Sequence, residues 1–424
     1  MRTRDRLAAA LKELRRRLHE QLVLHERRRL LRVRHYATLN CIPDPSESDW
    51  MKLWQHGSDA NFIHFTSLDR FVIFALVADF TLNELTPLVS SVIVSRTSFR
   101  ALLRQFSGFY NLPGFSPKGG RPPRFKFKHQ ALAVILVFYV DSLHAKMACM
   151  FFGAPPATLS RVLNAAEVAL GSALNSFRPA RISWPSPTRQ RALAKLTALR
   201  EPLLQFTWGF IDGKNLKVLR AYFLSTTPSL LRFYSFCGLG QVLQPADPDV
   251  QNAFYNGWLH DVFVTGTLCF GADGLIVWAR HNCPGSWNDA ENCVEFRENL
   301  MNPDLCPDMR YGVVADSAFP CSGHMTGRIL TPLKEGDLGR LIPSVRESAQ
   351  ILSAAITSIR QAAEWGMGSV EKVYKRLLLP LPPDKSKRAL RLDNLFRLSN
   401  FRVRSLEISQ IRTTFFTELT ITSN

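Results

Sequence analysis

The sequence predicts an α/β protein, with a mainly helical first half followed by a mixed sheet flanked by helices. Three observations carry that expectation. Apolar residues recur at helical spacing as far as Leu170, the period turns strand-like from about Leu203, and a long helical pattern runs from about Ala349 to Leu379. The chain has 424 residues, 46% hydrophobic and 11% aromatic, which is enough for two or three domains and too apolar for a disordered polymer.

Charge narrows the partner class. Lys and Arg number 53 against 35 Asp and Glu, and the net charge of +18 is the footprint of a protein that meets a polyanion, or of a soluble protein with a basic tail. No membrane span is expected: Val72–Val94 is broken by Asp79, Asn83 and Glu84, and Ala131–Val140 falls short of the roughly 20 apolar residues a bilayer needs. The eight cysteines include no C-x-x-C pair and are few for so long a chain. They predict reduced structural thiols inside a cell, not a zinc ribbon or a disulfide framework. Met1–Arg34 lacks the continuous apolar run of a secretory signal.

Residues 1–50 form a basic helical arm. Its first 34 residues carry twelve Lys or Arg against four acids, with Leu7, Leu11, Leu14 and Leu18 in one stripe. Such a run is either a solvated face or an arm that contacts phosphate or serves nuclear import. A helical region, 51–117, leads to KGGRPPRFKFK at 118–128, where two Gly and two Pro stop regular structure. Arg121, Arg124, Lys126 and Lys128 make this segment a candidate phosphate strap, and Gly120-Arg121-Pro122 partly resembles a minor-groove AT-hook; a plain interdomain linker is the simpler reading.

Residues 129–180 read as HQALAVILVFYVDSL, a short AKMACMFFG segment turning at Gly153, and a helix opening at Pro155 or Pro156. Helix, helix, tight turn, helix suits a helix-turn-helix, which would present Thr158, Ser160 and Arg161 to base edges. An ordinary helical hairpin shares that periodicity.

The second half places acids at element ends. Gln205–Ile211 is an apolar strand ending in Asp212-Gly213, Trp258–Phe270 and Leu275–His281 are joined by Ala272-Asp273-Gly274, Tyr311–Ala315 ends at Asp316, and Glu364 lies in the long helix. Asp-Gly by itself commonly just makes a turn. Three carboxylates gathered at one sheet edge would suit Mg²⁺ or Mn²⁺, hard cations that prefer oxygen. Two such ions about 4 Å apart can activate water and offset charge on a phosphate.

The neighbouring residues sharpen this. FIDGKN (Phe210–Asn215), YNGW (Tyr255–Trp258), HNCPGSWNDA (His281–Ala290), VVADSAFP (Val313–Pro320), TPLKEG (Thr331–Gly336) and RQAAEWGMG (Arg360–Gly368) occur in the order seen in PIF/Harbinger-type DDE transposases, and Phe210 to about Arg404 resembles the fungal and oomycete DDE superfamily endonucleases. The resemblance implies a ribonuclease H-like core at 200–380, with Asp212, Asp316 and Glu364 as catalytic residues holding two divalent ions. It implies a supporting role for Asp289, DNA as substrate, the nucleus as location, a homo-oligomer, and a Myb-like protein partner; Arg360 enters by its spacing alone, either orienting the Glu364 carboxylate or making a routine surface pair. Arg360 can pair with Glu364 at i, i+4, and Gly366 and Gly368 would let the helix approach another backbone. His260, His281 and His324 have no metal-ligand spacing and read as structural or rim residues.

Between Asp212 and Asp316 the chain is longer than such a core requires. The excess falls at 219–240, LRAYFLSTTPSLLRFYSFCGLG, with five aromatics and no acid. It is either an insertion or non-coding sequence translated through a gene-model error, and its composition favours the second. Residues 381–424 read as a C-terminal tail. Two rival functions remain: a transposase-derived DNA-binding protein that no longer cuts, and a glycoside hydrolase, which leaves the positive charge and the upstream helices unexplained.

Overall fold

A computed structural model describes residues 12–24, 42–68, 98–112, 123–141, 145–217, 252–257, 260–382 and 384–421. Arg121 and the 219–240 segment lie outside these residues. Residues 12–24 are helical, and Leu14, Leu18 and Leu22 are exposed there while Arg16 and Arg17 pair with Glu13 and Glu20.

The first half is helical as predicted. Helices α1 (Asp49–His56), α2 (Asp59–Thr66), α3 (Ser98–Ser107), α4 (Lys128–Val140), α5 (Ala145–Phe152) and α6 (Pro156–Ser176) surround an aromatic centre. Trp50, fully buried, donates its indole N–H to His129 Nδ1 at 3.2 Å, and Trp54 stacks on the same imidazole at 4.3 Å. Gly153 turns the chain between α5 and α6 at a φ of 64°; a side chain there would also collide with Pro43 and Pro45. Pro156 opens α6 at a position where its missing N–H costs nothing.

Helix α7 (Pro187–Arg200) leads into the sheet: β1 (Thr207–Lys217), β2 (Tyr255–Asn256), β3 (Asp261–Gly271), β4 (Ile276–Pro284), β5 (Gly312–Val314) and β6 (Ile329–Leu330). The strands lie in the order β4-β3-β1-β5-β6, with short β2 on the start of β3. Pairing is antiparallel from β4 to β1 and parallel from β1 to β6, the mixed sheet of a ribonuclease H-like core.

Both faces are covered. On one, α8 (Asp289–Asn292) and α9 (Val294–Met301) bring Phe296 against Trp208 and Trp278. On the other lie α11 (Arg346–Val373), which follows the short α10 (Asp337–Arg340), and α13 (Gln410–Ile421), whose Phe415 stacks on Phe210. Gly366 of α11 sits on the Phe270 ring, where an added Cβ would be 2.8 Å from the ring atoms; Gly368 meets nothing, so only the first glycine serves close approach.

The C-terminal stretch differs from the expected tail. Residues 381–424 include α12 (Lys385–Leu406) and α13, and α12 packs between β4 and α6. Its sequence, rich in Arg and Lys, conceals an apolar and amide face: Asn400 both accepts from Ile276 N–H and donates to Ile276 C=O at 2.8 Å. Glu167 of α6 and Arg391 of α12 form a buried bidentate pair at 2.7 and 3.0 Å, joined by the Tyr139 hydroxyl. One continuous apolar core runs from Trp50 through Leu170 to Phe210 and Leu395.

Candidate metal centre

Asp212 does not sit in a turn. β1 continues past Asp212-Gly213 to Lys217 because β3 pairs with it throughout, Asp212 opposite Leu268 and Gly213 opposite Thr267. Ladder hydrogen bonds outweigh the turn preference of the dipeptide. On the other side the β1–β5 pairing stops at Phe210 opposite Val314. Beyond that pair the edge of β1 is open toward β5, and Ala315 and Asp316 leave β5 beside it. The open edge is what lets side chains from both faces of the sheet meet.

The two aspartates are held alike. Asp212 accepts the N–H of Gly213 at 2.8 Å, and Asp316 accepts that of Ser317 at 2.7 Å. Burial pushes the Asp212 carboxyl up to about 6; the Gly213 N–H opposes this, the charges of Asp289 and Asp316 add to it, and Arg360 opposes it. Asp289 is also raised, chiefly by burial and then by Asp316. The three aspartates therefore repel one another in a partly desolvated place.

Arg360 and Glu364 come from α11. Arg360 Nη1 is 3.1 Å from Glu364 Oε1, the i, i+4 pair expected, and 3.9 Å from Asp316 Oδ1. The Asp316 and Glu364 carboxylates thus lie within about 7 Å of each other, a gap that a bridging ion or an ion pair about 4 Å apart could span. Lys214, two residues beyond Asp212, pairs with Glu371 at 2.8 Å and fastens β1 to α11.

The donor set suits a hard divalent cation: oxygen only, partly buried, and short of positive charge. A guanidinium already stands between two of the acids, a stand-in for a cation. As they are placed, no three acid, histidine or cysteine side chains among the described residues converge to hold an ion. Asp212, Asp316 and Glu364 would be the residues to hold one, with Arg360 withdrawn from between the last two.

The basic and helical candidates fall elsewhere. Arg124 donates to the carbonyls of Gly153 and Pro43 at 2.8 and 3.4 Å, and Lys128 to that of Ser107 at 2.6 Å, so both are engaged within the fold. Lys126 is exposed. At the start of α6, Arg161 is exposed, with its Nε 3.3 Å from Ala157 O, while Thr158 and Ser160 are half-buried.

Gly213 is the site residue that sequence reasoning passed over. A Cβ there would strike Asp289 Oδ1, so the glycine admits the Asp289 carboxylate to the strand. The signal was present in the DGK tripeptide, but a glycine after Asp reads first as a turn.

Residues 237–400 match the family model of the DDE superfamily endonucleases. The match takes in Asp289, Asp316, Arg360 and Glu364 and begins beyond β1, so Asp212 joins the group through the sheet and not through the match. No curated protein and no solved structure matches the chain.

Proposed function

We propose that the protein is a divalent-metal-dependent DNA endonuclease of the transposase kind, acting in the nucleus, with Mg²⁺ or Mn²⁺ held by Asp212, Asp316 and Glu364. The observation that carries this reading is the gathering of acids from β1, from the end of β5 and from α11 at one open sheet edge, within a segment that matches DDE superfamily endonucleases. The net charge of +18 supports a polyanionic substrate.

Hydrolysis adds water to phosphorus and breaks the P–O3′ bond, leaving a 3′-hydroxyl and a 5′-phosphate; attack of that hydroxyl on a target phosphodiester forms a new P–O3′ bond, breaks the target's own P–O3′ bond, and passes the proton to the 3′-oxygen released. A divalent ion supplies Lewis acidity toward water and phosphate in such chemistry. The chain supplies the rest. The N–H groups of Gly213 and Ser317 fix the rotamers of the two aspartates, Arg360 positions the Glu364 carboxylate, and Lys214 with Glu371 keeps α11 over the strand.

The test is nicking of a supercoiled plasmid by the full chain, with Mg²⁺ or with a chelator. Relaxed circles are expected only with metal. Asp316→Asn and Glu364→Gln should remove nicking by at least a hundredfold while retaining DNA binding in a mobility-shift assay. Cleavage in chelator, or full cleavage by either variant, contradicts the reading.

A further inference from the structure

Resting on the endonuclease reading above, we infer that the groove between α11 and the 331–341 segment, which carries α10, binds an unpaired nucleobase of the DNA strand that passes the acidic edge. The groove holds about 570 Å³, within the range of small-ligand sites. Leu333 and Leu338 wall it on one side, and Gln350, Thr357, Ser358 and Gln361 line it along α11. Among the described residues no charged side chain lines it. A phosphate needs a cation, whereas a base is a flat neutral ring with donors and acceptors on its edge. Glutamine amides and hydroxyls each both donate and accept, and leucine walls suit the faces of the ring, the composition that a base taken out of its stack requires. Neither Gln350 nor Gln361 spends its amide on a hydrogen bond among the described residues, and both are exposed.

Position ties the groove to the acids. Gln350, Thr357, Gln361 and Glu364 recur at helical spacing on one side of α11, so the groove continues along the face that carries Glu364, toward the start of the helix. The rise from Thr357 to Glu364 is roughly 10 Å at about 1.5 Å per residue, or about three nucleotides at about 3.4 Å each. The groove is also fixed in shape. At one end the Leu333 N–H donates to Ser353 Oγ at 3.0 Å, and at the other Arg346 donates to the carbonyls of Leu341 and Gly339 at 3.0 and 3.3 Å. Between these ties the Asp337 carboxylate accepts the Lys334 N–H at 2.9 Å and pairs with Arg340. Walls held in this way lose little freedom when a ligand enters. The Lys334 side chain, exposed next to Leu333, is placed to meet the phosphate of the same nucleotide.

The experiment uses the full-length protein in chelator, so that binding is read without cleavage. The probes are two short duplexes of one sequence, one fully paired and one with three unpaired nucleotides, the middle one 2-aminopurine, whose fluorescence is quenched by stacking. The wild type should bind the second duplex at least tenfold more tightly than the first and raise its fluorescence. Gln361→Leu, which removes an amide, and Ala354→Phe, which fills the groove, should each erase the preference and the fluorescence rise while binding the paired duplex as the wild type does; both positions are exposed on α11, so the fold tolerates them. Variants that keep the preference overturn the assignment. So does an Ala354→Phe chain that sediments in a different oligomeric state with the preference intact, since the groove is then a seat for protein. Plasmid nicking in Mg²⁺ separates the two readings: wild type that nicks but shows no preference for the unpaired duplex overturns the groove assignment alone, and wild type that shows the preference, lost in both variants, but never nicks overturns the endonuclease reading alone.

Discussion

Two titratable side chains carry opposite pH signatures. His129 is buried among Trp50, Trp54 and Phe127, and burial lowers its pKa to about 4 from the usual 6.5. A group that binds its proton less readily when folded adds stability above its unfolded pKa, and that stability is lost as pH falls from about 6.5 through 4. Asp212 runs the other way: its carboxyl, raised to about 6, ionises at a cost, so the penalty is absent below pH 4 and complete above pH 6. Denaturant melts across this range should therefore separate them. His129→Asn, which can keep an acceptor for the Trp50 N–H, should flatten the acid limb. Asp212→Asn should gain on the order of 2 kcal/mol over wild type at pH 7 without metal, a gain that vanishes near pH 4. A constant offset across the range would contradict the Asp212 assignment.

At the scale of elements, the helix α11 and the strand β3 must approach closely, and Gly366 permits it. Gly366→Val would force the helix off the Phe270 ring and should cost about 1–3 kcal/mol in chemical denaturation, as overpacking in a rigid core does. The Glu167–Arg391 pair is a second junction, since it ties α6 to α12 across the chain. Arg391→Ala would leave Glu167 buried and unpaired and should lose about 3–5 kcal/mol, whereas replacing both with apolar residues should recover much of it. Periodicity in the sequence disclosed α4, α5, α6, the β3–β4 hairpin and the long helix carrying Glu364. It could not disclose α12, because the arginines that make 381–424 look like a tail are partly buried by distant partners: Arg388 beside Asn282, Arg391 on Glu167. Likewise, Asp212-Gly213 reads as a strand end until β3 is seen to pair beyond it. Local pattern fixes elements; partners far along the chain decide which charges go inside.

For the molecule as a whole, one apolar core joins the helical half to the sheet, so the metal centre and the helices of the first half should unfold together. A fragment lacking residues 1–180 exposes the α12 face that α6 covers and is expected to aggregate instead of folding, which light scattering of the purified fragment would show. Affinity for DNA should fall steeply with salt, as release of counterions requires, by about 0.9 log units per phosphate contact for each log unit of salt. In the proposed endonuclease, β1, outside the matched segment, completes the site through Asp212. Its most direct test is the rate of plasmid nicking against Mg²⁺ concentration for wild type and Asp212→Asn. Saturable, metal-dependent nicking is expected of the wild type and none of the variant at any Mg²⁺ concentration, with DNA binding retained; nicking by Asp212→Asn at the wild-type rate would remove Asp212 from the site.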